Sequence, residues 1–135
     1  MRGTAAGLML LAMAMTGMQA HGQDLVASYV DGEYLTASCR EFLTVRRANG
    51  ATSSPKDAHG TGLCYGFVVA VVETDQWREP TAPHDIELGR FCIPETLNAN
   101  SITEAVARWM DEHPEQRNAI GYVLTRRALA DRFPC

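Results

Sequence analysis

Four cysteines carry most of the chemical information in this chain: Cys39, Cys64, Cys92 and Cys135, no two of them closer than 25 positions. A zinc site wants clustered ligands, such as two cysteines separated by two residues, and that spacing is missing. A nucleophilic cysteine wants a histidine base beside it. His21, His59, His84 and His113 are instead scattered over segments that read as loops and helix ends. An even number of separated cysteines makes disulfides when a small domain is exported. Three connectivities are open. Spacing and helix order favour Cys39 with Cys64 and Cys92 with Cys135, each closing a loop that adds about 3 to 4 kcal/mol in the chain-entropy account.

Other residues suited to chemistry fall short of a constellation. Gly60-Thr61-Gly62 with Gly66 has the wrong spacing for a dinucleotide loop, and the phosphate-loop lysine is absent. Ser53-Ser54 lacks the context of a nucleophile elbow. Glu73 and Asp75, two positions apart on a helix, diverge by about 200° and cannot meet one substrate as an acid and base pair; they read as a solvated helix end. Trp77, Trp109 and Tyr122 have faces that stack on sugars, but on apolar stripes they read as core. No catalytic residue, metal ligand or cofactor site is expected, and the chain reads as a binder rather than an enzyme.

The elements that position these residues begin with an export signal. Arg2 supplies the positive n-region, Leu8 to Met15 an apolar stretch too short to span a bilayer, and Met18-Gln19-Ala20 a cleavage site before His21. Removing residues 1–20 takes one positive charge from a net −4 and leaves one modest domain. Residues 21–30 read as a flexible lead-in to a domain spanning 31–135.

Within that domain the apolar periodicity is helical. Leu35, Cys39, Phe42 and Arg46 recur at four, three and four, with Asp31 as cap and Asn49-Gly50 as stop. Asn49 to Gly60 reads as an exposed loop. Leu63 to Val72 is without charge and reads as a buried central helix, although its valines would also suit a buried strand; Gly62 and Gly66, one turn apart, suggest a close helix approach. Ile102, Ala105, Val106, Trp109 and Met110 make a third helix, capped by Asn98 or by a Ser101/Glu104 capping box and ended by Pro114. A fourth starts around Asn118, with Ile120, Val123, Leu124 and Ala128 inward and Arg126, Arg127 and Asp131 toward solvent. The expected fold is all-α, a small bundle of about four helices stapled by two disulfides.

Between the second and third helices, Arg78 to Arg90 contains Pro80, Pro83 and Gly89 and cannot be one continuous helix. Long loops in small domains often carry function. This one offers Trp77, Arg78, Asp85, Glu87 and Arg90 as candidate partner-binding residues. The acidic balance suits a basic enzyme cleft and argues against nucleic acid, whose phosphates need a basic stripe; nothing points to a membrane surface.

The order of these pieces resembles the Rap/Tai family of immunity proteins. The resemblance covers about Asp31 to Cys135. It rests on the signal peptide; Cys39; the block Cys64-Tyr-Gly-Phe-Val-Val-Ala-Val-Val-Glu73, similar to a family block of the form C-x-G-Y-I-x-G-V-x-D; Cys92-Ile93-Pro94; Trp109 with His113-Pro114-Glu115; and Val123 and Ala128-Leu129 leading to Phe133-Pro134-Cys135. Phe67, Ala70 and Glu73 depart from the Tyr, Gly and Asp often found there. The resemblance implies an all-helical periplasmic domain, often a homodimer, that binds a papain-like cysteine amidase delivered by a type VI secretion system and occludes its active cleft. Its shared motifs are structural, so the contact residues proposed above come from the linker. A different class, a periplasmic stress chaperone, would be told apart by a stand-alone stress-regulated gene.

Overall fold

The computed structural model of the chain describes residues 30–52, 54–76 and 88–135. Among these residues there are four α-helices, α1 (Gly32–Arg47), α2 (Pro55–Gln76), α3 (Ala99–Glu112) and α4 (Gly121–Arg132), with a 3-10 turn, Pro114–Gln116, between the last two. No strand occurs among the described residues. The four-helix, disulfide-stapled architecture expected from the sequence is the one observed.

Local chemistry explains most helix boundaries. Asp31 caps α1 by accepting from the Tyr34 N–H at 2.7 Å, and Arg46 and Arg47 sit in the last turn, where the helix dipole is negative. Asn49 then takes a left-handed conformation with φ 53° and turns the chain away. Asn98 caps α3, accepting from the Ser101 N–H at 3.0 Å, so Ser101 is the capped residue and not the cap. Glu104 consequently does not close a capping box. Its carboxylate instead binds Arg108, at 2.6 Å, and lies 3.6 Å from Arg46 of α1.

Two boundaries differ from expectation. The segment expected to be a loop up to Gly60 becomes helical at Pro55, because the Ser54 hydroxyl accepts from the Asp57 N–H at 3.1 Å and Pro55 fits the first helical position. Cys64 is therefore in the third turn of α2. The fourth helix starts at Gly121 instead of Asn118, and Ile120, expected to face inward, is 55% exposed. Its backbone is engaged in a bridge to Asp31, which leaves the side chain outside.

The core draws on all four helices. Leu35, Cys39 and Phe42 of α1 meet Cys64, Val68 and Val71 of α2; Val106 and Met110 of α3 and Leu124 and Ala128 of α4 close it from the other side. The α1–α2 interface is the most extensive, and the Cys39–Cys64 disulfide crosses it with a Cα–Cα distance of 4.9 Å and both cysteines fully buried. Cys92–Cys135 forms the second bridge, also with Cα atoms 4.9 Å apart, and both its residues are exposed. The pairing favoured by spacing is thus the one found.

α2 is not buried on every face. Gly62, Gly66 and Ala70 lie on its solvent side, and a Cβ on either glycine would meet nothing within 4 Å. The close backbone approach occurs elsewhere. Gly32 and Gly121 lie where residues 30–32 run against the turn before α4, joined by Gly32 N–H to Ala119 O at 2.9 Å and Gly121 N–H to Val30 O at 2.8 Å. A Cβ on Gly121 would stand 2.7 Å from Val30 O, and one on Gly32 would stand 2.6 Å from Ala119 O.

This contrast has a measurable consequence. Gly121→Ala forces two backbones apart and is expected to destabilise by about 1 to 3 kcal/mol, whereas Gly66→Ala, in an exposed helix interior, is expected to stabilise by about 0.5 to 1 kcal/mol. Urea unfolding of the two variants checks both signs.

Glu104 makes a second prediction. Its hydrogen bond to Arg108 holds the carboxyl below the ordinary carboxylate range, opposed by partial burial and helped by the charges of Arg108 and Arg46. A carboxylate whose folded pKa is depressed stabilises the fold above its unfolded pKa and loses that contribution as pH falls through the folded value. Glu104→Gln is therefore expected to cost no more than about 0.5 kcal/mol at pH 7, the scale of a surface i,i+4 pair, and the difference from the parent should vanish on acidification below that range.

Candidate functional site

The linker between α2 and α3 is the segment to which the sequence assigns contact with a partner. Of its five candidate residues, Trp77, Arg78, Asp85 and Glu87 lie outside the described residues, and Arg90 is exposed just beyond them. What the structure describes is the base from which that segment departs and to which it returns.

Asp75, in the last turn of α2, is at the departing side. Instead of facing solvent, as a helix end would suggest, its side chain is only 8% exposed and its Oδ2 lies 2.9 Å from Nε of Arg126. Arg126 corrects a second expectation: it points inward from α4, with its side chain 7% exposed. Tyr122, one helical turn earlier, donates its hydroxyl hydrogen to Asp75 Oδ1 at 3.2 Å. Residues i and i+4 share a helix face, which is why Tyr122 and Arg126 converge on one carboxylate.

The returning side meets the same arginine. Its Nη2 donates to the Gly89 carbonyl at 3.0 Å, and its guanidinium carbon lies 6.0 Å from the centroid of the Phe91 ring. Gly89 has φ 77°, a left-handed conformation that glycine adopts without strain. Phe91 then bridges to Pro134, the Cys92 N–H donates to Phe133 O at 2.8 Å, and Cys92 is covalently joined to Cys135. The C-terminus, which would fray if free, is tied down by these contacts.

Beside this base is an open cleft of about 600 Å³, lined by residues that include Leu88, Gly89, Trp109, Gln116, Arg127 and Asp131. Its polar groups are already engaged with one another. Trp109 Nε1 donates to Asp131 at 2.9 Å, and Arg127 donates to the Gln116 side-chain oxygen at 2.8 Å. Trp109, 5% exposed, is a core residue whose ring stacks on His113 with centroids 4.1 Å apart. Asp131 is exposed, as expected, but serves as the acceptor that satisfies this buried indole.

No cysteine is free, so none is available as a thiolate nucleophile. His59 is hydrogen-bonded to Tyr34 at 3.0 Å, and His113 Nδ1 to Trp109 O at 2.8 Å. Among the described residues no three His, Cys, Asp or Glu side chains converge as metal ligands, and no helix is long and apolar enough to cross a membrane.

Among the described residues, the chain is a disulfide-tied helical body in which the end of α2, residues 89–92, α4 and the C-terminal residues are joined by polar and covalent contacts. The chain belongs to the family of Rap1a immunity proteins, whose family model matches residues 31–135. No curated protein and no solved structure matches it. Membership makes engagement of an effector the function of this class, and proteins of this class are in general not enzymes.

The base of the segment was not visible in the sequence. Asp75 and Arg126 sit in different helices, and only folding brings them together. A weaker signal was present: Arg126 lies two positions before Ala128 and two after Leu124 on a helix whose inner face is apolar, which placed it near the edge of the buried stripe.

Proposed function

We propose that this chain is a periplasmic immunity protein that binds a peptidoglycan amidase effector of a type VI secretion system and inhibits it by occluding its active cleft. The observation that carries the proposal is the family match over 31–135, which spans the whole disulfide-tied helical body. The amidase, of the papain-like cysteine class, follows from the resemblance in the central block and the cysteine framework. Residues 1–20 act as the export signal and 21–30 as a lead-in, and export supplies the oxidising compartment in which both bridges form. A homodimer belongs to the same reading.

Contact with the effector is assigned to the segment from Trp77 to Arg90, whose Asp85 and Glu87 would complement a basic cleft and hasten encounter. Calorimetric titration of the oxidised domain into a candidate papain-like peptidoglycan amidase checks this. The parent is expected to saturate the enzyme with each protomer engaging one active site, and Asp85→Ala with Glu87→Ala to weaken affinity at least about tenfold, a change of about 1.4 kcal/mol. Unchanged affinity in the double variant would remove the segment from the interface.

A further inference from the structure

We infer that Asn49 is a site of covalent self-modification, at which attack by the Gly50 nitrogen converts the side-chain amide to a carboxylate, and that the cap of α1 sets the rate. Of the asparagines, Asn49 alone precedes glycine; Asn98 and Asn118 precede alanine, and Asn100 precedes serine. Ring closure brings the following backbone nitrogen onto the asparagine Cγ. Glycine has no side chain to obstruct that approach.

The reaction balances with water as the only co-reactant. The Gly50 N–H gives its proton to solvent, the nitrogen lone pair forms a bond to Asn49 Cγ, and the Cγ–Nδ2 bond breaks, with Nδ2 taking up a proton and leaving as ammonia. One water then opens the succinimide ring. Opening at the side-chain carbonyl gives aspartate, and opening at the main-chain carbonyl gives isoaspartate.

Access does not oppose this chemistry. Asn49 and Gly50 are both exposed, and a Cβ on Gly50 would meet nothing within 4 Å. What guards the nitrogen is the end of α1. The Gly50 N–H donates to Val45 O at 2.9 Å and the Asn49 N–H to Arg46 O at 3.2 Å, the paired bonds of a Schellman motif, with Asn49 in the left-handed position at φ 53°. While the Gly50 N–H is donated to a carbonyl it is not released to solvent, so modification waits for the last turn to open. The product then resists reclosure. Isoaspartate adds a methylene to the main chain between the two bonded nitrogens, and either product places negative charge at the negative end of the helix dipole. At Asn100 the corresponding nitrogen, that of Ser101, donates to Asn98 Oδ1 at 3.0 Å and lies within α3.

Hydrogen exchange and peptide mass spectrometry of the oxidised protein test this together. One opening exposes the Gly50 nitrogen both to solvent exchange and to ring closure. Asn49 is therefore expected to convert more slowly in the folded protein than in the urea-unfolded chain at the same pH, by a factor matching the protection of the Gly50 amide to within about threefold. In the isolated isoaspartate product the Gly50 amide is expected to exchange at least about tenfold faster than in the parent, with amides in the middle of α3 unchanged, as for a local opening. Equal conversion in folded and unfolded chains despite a protected Gly50, or no conversion where Gly50 is weakly protected, overturns control by the cap. Conversion of Asn98, Asn100 or Asn118 ahead of Asn49 overturns the assignment of the site. A product that keeps the parent's protection at Gly50 overturns the loss of the cap.

Discussion

The fold depends first on the covalent seam between α1 and α2. A domain of this size buries a modest apolar core, and the margin left after the entropy of ordering the chain is small. Cys39–Cys64 lies at the centre of that core with neither cysteine exposed, so it both fills space as an apolar side chain and shortens the unfolded chain's reach. Once α1 and α2 are joined, α3 and α4 have a formed surface on which to lay their apolar faces. Gly32 and Gly121 then let the start of α1 run against the turn before α4 at backbone contact distance, closing the bundle without a side chain between.

The other end of the molecule is held differently. There polar and covalent ties accompany the partly buried Phe91 and Phe133: the exposed Cys92–Cys135 bridge, the Phe91–Pro134 bridge and the Arg126 cluster. All three converge on residues 89–92, where the chain leaves the inter-helix segment and heads for α3. These ties hold residues 89–92 to α4 and to the C-terminal residues. One disulfide joins α1 to α2, and the other joins Cys92 to the C-terminal residue.

How much of this was legible in the sequence follows from how local each feature is. α1 and α3 were readable because each lays a single apolar stripe on the core and carries a polar cap at its start, Asp31 and Asn98. α2 defeated the same method at its N-terminus, where Ser54-Pro55 is a valid cap and first turn but no apolar period accompanies it until Leu63. Gly62 and Gly66 misled because small residues one turn apart fit a packed face as well as an exposed one, and only the fold decides between them. Asp75 and Arg126 were each read as solvent-facing, a sound default for isolated charges, and each was wrong because its partner was distant in the chain. The disulfide pairing, by contrast, was one of three open connectivities and the one that spacing and helix order favoured. The family resemblance was legible because it depends on the order of several motifs and not on any single contact.

Growth of a bacterium making a papain-like peptidoglycan amidase in its periplasm measures directly whether this chain, exported as proposed, protects a cell. Lysis is expected without this chain, survival with residues 1–135, and lysis again when residues 1–20 are deleted so that the domain stays in the cytoplasm. Lysis despite the full-length exported chain, or equal survival with and without its leader, would contradict the account.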